Sequence, residues 1–413
     1  MSAELVSPSG SYAAEVARLL WPAPWGTPQL TRARRPAGSS HRDVYLFPSD
    51  TNPRLLVPAD LPGSSVMIRR LGGSRSGWAG PARRVLERTV RSRAFPLLGW
   101  PRLRVQGDDP DADSIERHLT AALGAEVRVG VLLGTRRVNQ KPVLQLFGAD
   151  GAVLGYAKIG HNELTSALVR REAAALTALA AAQPQRFRAP RVLHHDSWGG
   201  LEVLVMSPLA SGDGPRVPRT ARIAAAGEVI RLGNPTTTTL GQSAYFTRLV
   251  ARALGLTQLD GADRLLDCVE VLAQRHGGDA LTFGGWHGDW GHWNMAMSQG
   301  VLQVWDWERH EPDVPLGFDE LHFAAQSVRP EERAAGEQER AFLAACDAHL
   351  ARLDVPSGQH RLTLLLYLAE MSARYLEALR HGATPVLRLR TDWVASLLER
   401  QLHHPGHARN GES

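Results

Sequence analysis

His287-Gly288-Asp289-Trp290-Gly291-His292-Trp293-Asn294, followed closely by Trp305-Asp306-Trp307-Glu308, decides how this chain is read. Between the two stretches, Met295 to Met297 and Val301 to Trp305 read as strands of a hairpin, with a turn at Ser298-Gln299-Gly300. The hairpin returns Asp306 to the loop that holds Asp289 and Asn294. Three oxygen-bearing side chains are thereby expected around one point. Asp289 can accept a hydroxyl proton, and Asn294 and Asp306 offer the hard oxygen donors that Mg²⁺ favours.

Phosphoryl transfer demands such a set. It asks the protein for little covalent chemistry, so positioning and charge neutralisation dominate. The H-G-D-x-x-x-x-N loop, the D-W-E triplet and the later Gly317-Phe318-Asp319-Glu320-Leu321 resemble the aminoglycoside phosphotransferase and choline kinase family, a branch of the protein-kinase-like fold. That resemblance covers roughly residues 115 to 400. It implies Asp289 as catalytic base, His287 as an orienting residue, and Asn294 with Asp306 as Mg²⁺ ligands. It also implies an α+β, bilobal fold, with a small, mainly antiparallel upper lobe carrying one helix, and a mainly helical lower lobe.

Such a fold also needs an upstream lysine for the nucleotide phosphates and a helical glutamate to hold it. The chain is rich in arginine and has only two lysines, Lys141 and Lys158. Lys158 lies in Val153 to Ile159, a short apolar run that reads as a strand, where the family carries its phosphate lysine. Asn162 is a plausible N-cap, and Glu163 to Ala182 reads as a helix with a stripe at Leu164, Leu168, Leu176 and Leu179. Glu172 interrupts that stripe, where a lone carboxylate would be costly. A pair with Lys158 resolves the cost; a pair with Arg170 or Arg171 is the alternative.

Ahead of Lys158, Val127 to Leu133 and Pro142 to Phe147 read as strands joined by residues 134–141. In the resemblance this turn covers the nucleotide phosphates, with Gly134 and Thr135 as candidate contacts, although Gly134 is its only glycine. Leu201 to Met206 reads as the strand leading into the hinge that, in the family, contacts adenine. Downstream, Arg361 to Leu379 and Thr391 to Leu402 read as amphipathic helices, and Asn234 to Thr239 as a loop. Asp319 and Glu320 are expected to cap or brace the helix that follows them. Trp286, Trp290, Trp293, Trp305 and Trp307 are expected chiefly to pack, and Glu308 is the acid most readily assigned to a substrate.

The N-terminal region departs from this pattern. From Thr31 to Val105 there are fifteen arginines and four acids, Asp43, Asp50, Asp60 and Glu87. The whole chain carries +5, so the rest is net acidic. Val44 to Phe47, Arg54 to Val57 and Ser65 to Arg70 read as short strands and Pro81 to Arg93 as a basic helix. Such a segment could hold an anionic substrate, bind nucleic acid or pack against an acidic partner lobe, and packing or a merely solvated face is the default. No helix-turn-helix, zinc or aromatic RNA signature accompanies the arginines, so nucleic acid is not the expected partner.

At 413 residues and 43% hydrophobic content, the chain is long enough for two or three domains with ample core. Expected divisions are 1–114 for an α/β-containing basic domain, 115–207 for the upper lobe and 208–413 for the lower. Cys268 and Cys346 read as core thiols. With neither a signal segment nor a membrane span in the sequence, a cytoplasmic enzyme is expected. The expected activity is ATP-dependent transfer of the γ-phosphoryl group to a hydroxyl of a small molecule such as a sugar, amino sugar or amino alcohol, with Mg²⁺. GTP in place of ATP stays open, as do an inactive nucleotide-binding regulator, a protein kinase and a nucleotidyltransferase.

Overall fold

The computed structural model describes residues 12–33, 40–70, 80–92, 95–107, 109, 111–133, 141–210 and 217–403. Gly134 and Thr135 lie outside the described residues. The chain divides into two compact units, one of residues 1–174 and 190–208, the other of 175–189 and 209–413. No described helix is long and apolar enough to cross a membrane.

The first unit contains α1 (Tyr12–Leu20), β1 (Gln29–Thr31), β2 (Ser40–Phe47), β3 (Leu55–Pro58), α2 (Gly80–Arg91), β4 (Arg102–Gly107) and α3 (Ile115–Leu123). It continues through β5 (Arg128–Leu132), β6 (Val143–Phe147), β7 (Val153–Gly160) and α4 (Glu163–Ala182), whose final turns fall in the second unit. After β8 (Phe187–Arg188), which belongs to the second unit, β9 (Val192–Trp198) and β10 (Leu201–Met206) complete the first. Among the described residues, nine strands form one sheet in the order β1-β4-β2-β3-β5-β6-β7-β10-β9, and every pairing in it is antiparallel.

This sheet corrects the expected boundary at 114. Strands from either side of that position are hydrogen-bonded neighbours, with Leu55 opposite Leu132 and Leu56 opposite Val131. The arginine-rich segment is therefore half of a continuous sheet, not a separate domain. Strand alternation explains why it folds so. Val44, Leu46 and Leu56 enter one core, with α1, α3, Trp21 and Trp25. Tyr45, Phe47, Leu55 and Val57 enter another, with Met67, Val90 and Phe95. With both faces covered, a near-continuous apolar run is what the strand needs.

Many of the segment's arginines have acidic partners. Arg104, 6% exposed, forks onto both oxygens of Asp43 at 2.7 Å, and Arg102, 3% exposed, lies 3.7 Å from the same carboxylate. Arg42 meets buried Glu116 at 2.5 Å. One expected strand is not one: Pro62–Arg70 is a 3-10 helix. Ser64 and Ser65, then Met67 and Ile68, are buried in pairs three apart. The Ser64 hydroxyl donates to Leu61 O at 2.6 Å, the local turn chemistry that competes with a ladder.

The second unit holds α5 (Arg219–Leu232), β11 (Thr236–Thr239), α6 (Ala244–Leu254), α7 (Ala262–His276), β12 (Ala280–Trp286), β13 (Met295–Ser298), β14 (Val301–Val304) and β15 (Glu311–Pro315). Four more helices follow: α8 (Phe318–Ala325), α9 (Ala335–Ala351), α10 (His360–His381) and α11 (Pro385–His403). Its sheets are β11-β12-β15 and β13-β14-β8. Thr236 to Thr239, expected as loop, pairs antiparallel with β12, in keeping with the strand preference of threonine. Cys268 and Cys346 are buried, and burial pushes both thiols up to about 12.

Candidate active site

The hairpin that decided the sequence reading is present. β13 and β14 pair from Met295 opposite Val304 to Ser298 opposite Val301, and the Trp305 N–H donates to Asn294 O at 3.1 Å. Asp306 follows at once, in a left-handed conformation with φ 71°. Non-glycine residues seldom hold that conformation unless their surroundings impose it.

His287 organises the loop between β12 and β13 from a fully buried position. Its Nε2 lies 3.0 Å from the Trp305 carbonyl, so that nitrogen carries the proton, and its Nδ1 accepts from the Asp289 N–H at 3.2 Å. Both ring nitrogens are thus occupied by backbone in the neutral form. Burial drives the imidazole down to about 4, against the weaker upward pull of Asp289 and the Trp305 carbonyl. Trp307 and Trp290 enclose the ring, with centroids at 4.5 and 5.5 Å. The imidazole therefore fixes where the loop starts and where Asp306 emerges.

Asp289 is half-buried at the head of that loop. Asn294 Nδ2 donates to Oδ2 at 2.8 Å and Trp293 Nε1 donates to the same atom at 3.2 Å, while His322 Nε2 lies 3.4 Å from Oδ1. Burial alone would raise this carboxyl, but the hydrogen bonds and neighbouring imidazoles outweigh it and hold the group well below the usual carboxylate range. The amide nitrogen of Asn294 faces Asp289, which leaves the amide oxygen on the other side of the planar group. Asn294 is 4% exposed and so fixed in that orientation. The oxygens of Asn294 and Asp306 are of the type a hard divalent cation takes, and their number suits Mg²⁺, which uses one or two protein groups and fills its octahedron with phosphate and water.

Two supports escaped the sequence reading. Asp319, expected to serve its own helix, accepts the His287 N–H on Oδ2 at 2.8 Å and the Gly288 N–H on Oδ1 at 3.1 Å. Burial raises its carboxyl to about 7 despite those two donors. Arg374 of α10 donates to the Gly288 carbonyl at 2.5 Å and stacks on Trp286 with its guanidinium 4.7 Å from the ring centroid. Gly288 has φ 85°, and a Cβ there would meet Arg309 O at 2.2 Å. Glycine at this position is the one signal in the sequence that the peptide is gripped from both sides. The tryptophans mostly pack, as expected: Trp286, Trp290 and Trp307 are buried, whereas Trp293 is 42% exposed. Glu308, at 7% exposure, is more enclosed than a substrate contact was expected to be.

In the first unit, Lys158 Nζ meets Glu172 Oε2 at 2.5 Å across β7 and α4. Glu172 is fully buried and the Lys158 side chain is 11% exposed. The alternative partner Arg170 goes elsewhere, to Glu202 at 2.7 Å. Asn162 caps α4 through Oδ1, which accepts the Thr165 N–H at 2.9 Å.

No protein-family model matches the chain, and no curated protein does. Among solved structures it is similar to a fructosamine-3-kinase from Haemophilus somnus 129PT, 15% identical over 70% of this chain and 97% of that one, with a TM-score of 0.43. It is also similar to a thermostable mutant of the aminoglycoside phosphotransferase APH(4)-Ia, 13% identical over 70% and 98% of the two chains, at 0.44. A third is LicA in complex with AMP, 14% identical over 70% and 97%, at 0.46.

Proposed function

We propose that the chain is an ATP- and Mg²⁺-dependent phosphotransferase that moves the γ-phosphoryl group to a hydroxyl of a small molecule. The observation that carries this reading is the Asp289–Asn294 loop. The Asn294 amide fixes a partly exposed, ionised carboxylate, and its backbone carbonyl accepts from the Trp305 N–H, one residue before Asp306.

In this reading Asp289 accepts a hydrogen bond from the acceptor hydroxyl and orients its oxygen. A carboxylate held so far below neutrality is a poor base, so it takes the proton late, once the oxygen–phosphorus bond has begun to form. That suits a loose transition state, in which the nucleophile needs aiming more than deprotonation. His287 and Asp319 hold the loop's backbone. Asn294 and Asp306 would bind Mg²⁺, which when bound neutralises charge on the phosphates. Lys158, positioned by Glu172, would contact the phosphates as a compact point charge. Gly134 and Thr135 are assigned to the same phosphates by sequence alone. Trp293, with its exposed indole face, is the aromatic best placed to stack on an acceptor; Glu308 is a less open candidate.

The test is thermal stabilisation by ATP and by GTP, with and without Mg²⁺, in wild type and Asp306→Ala, followed by an acceptor screen read as the mass of an added phosphate. Metal-dependent stabilisation in wild type that is lost in Asp306→Ala is expected. No nucleotide response, or an unchanged transfer rate in Asp289→Ala, would overturn the assignment.

A further inference from the structure

The first unit contains a group of side chains that the proposed reaction does not use. β9 alternates, so His194, Asp196 and Trp198 share one face, while Leu193, His195 and Ser197 share the other. α3 lies against the first of these faces and adds His118. His118 Nε2 is 3.1 Å from Asp196 Oδ1, and His194 Nε2 is 3.0 Å from Asp196 Oδ2. One donor atom from each of the three lies within 4.8 Å of the others.

Hydrogen bonding accounts for only part of this arrangement. The His118–Asp196 contact has hydrogen-bond geometry. The His194 contact falls outside that geometry, with Nε2 shielded from solvent, yet it still pairs with the carboxylate at 3.0 Å and helps to lower its pKa. Two imidazole nitrogens thus flank one carboxylate, which gathers three donors of the type that transition metals take. Ligands at about 2.0 Å from a tetrahedral Zn²⁺ lie about 3.3 Å apart; each imidazole is 3.0–3.1 Å from one of the two Asp196 oxygens, and one donor from each residue lies within 4.8 Å of the others. The surroundings also fix the rings. Trp198 stacks on His118 at 5.7 Å and 22°, and its indole N–H is held by the Asp113 carboxylate at 3.1 Å. Side-chain exposures of 16%, 28% and 34% for His118, His194 and Asp196 place the group near the surface, where an ion from solvent can reach it.

We propose that His118, His194 and Asp196 form a binding site for a divalent transition-metal ion, Zn²⁺ foremost, distinct in ligand chemistry from the oxygen donors of Asn294 and Asp306. Two imidazoles and one carboxylate select such ions over Mg²⁺. The bound ion ties α3 to β9, which stands at the edge of the nine-stranded sheet. It thus clips together two elements 78 residues apart.

The test uses the full chain, stripped of metal by chelation. Zn²⁺ is titrated by calorimetry, and Co²⁺ serves as a spectroscopic probe. Wild type should bind one Zn²⁺, show the visible bands of four- or five-coordinate Co²⁺, and melt at a higher temperature with Zn²⁺ present. His118→Gln and His194→Gln should each weaken binding at least about tenfold and lose the thermal shift while melting normally without metal. His195→Gln, on the opposite face and bonded to Glu202 at 2.8 Å, should bind as wild type does. Absence of Co²⁺ bands in wild type would show a hydrogen-bonded His–Asp–His group only and overturn the proposal, whether or not the variants fold. So would undiminished binding in both glutamine variants.

Discussion

At the residue scale, the site is a set of polar groups whose charge states are set by their neighbours. Asp289 stays ionised because N–H donors face it, so its removal should cost chemistry more than stability. Asp289→Asn is expected to keep Mg²⁺–nucleotide binding and to lower transfer by about 10²–10⁴-fold, the range for a positioned proton acceptor; nucleotide thermal shift beside product mass would separate the two. Lys158 and Glu172 should behave in the opposite way. Removing the ammonium from a carboxylate with no exposed surface, as in Lys158→Ala, should destabilise the first unit by about 3–5 kcal/mol. Urea unfolding would measure it, and Lys158→Met with Glu172→Leu should recover part of the loss. The sequence made this pair legible because a lone acid on an apolar helical stripe demands a partner and lysine is scarce. It did not reveal Asp319 as the anchor of the loop. An acid at a helix start has an adequate local use, and nothing in a linear chain shows that its oxygens point 31 and 32 residues back.

At the element scale, the loop before β13 is held by backbone contacts that α8 and α10 supply. Gly288→Ala should therefore be severe, since the added Cβ meets a carbonyl oxygen and the backbone is already left-handed. A fall in melting temperature together with loss of transfer is expected, and recovery of either after refolding in cold buffer would contradict the explanation. Burial also couples α8 to pH. His287 falls to about 4 from 6.5, so the unfolded chain binds its proton first and stability drains away as pH falls from about 6.5 to 4. Asp319 rises to about 7 from 3.8, so the folded state holds its proton longer and stability grows as pH falls across nearly the same window. The two oppose each other. Asp319→Asn removes the counterweight and should lose more stability than wild type between pH 7 and pH 5, read from urea midpoints; a parallel pair of curves would refute it. Helix α4 was legible to the residue, from 163 to 182, because its cap and stripe are local. The 3-10 helix at 62–70 was not, because a serine turn and a short alternating run look alike over six residues.

At the scale of the whole molecule, pairing between distant strands is what sequence conveys least. The arginine-rich segment looked detachable because its charge differs from the rest, yet β3 is the hydrogen-bonding partner of β5 and supplies residues to both cores of the sheet. Deletion of residues 1–114 should leave β5 as a bare edge beneath an uncovered apolar face, a recipe for self-association. Size-exclusion chromatography of the truncated chain should show aggregates, and a well-behaved monomer would restore the idea of a separable domain. The preference for arginine has a further outcome for how the molecule can be handled. With two side-chain amines in 413 residues, one of them clasped by Glu172, acylating reagents have almost nowhere to react. A slow, nucleotide-sensitive acylation at Lys158, followed by mass spectrometry, would make the chain its own reporter of phosphate occupancy.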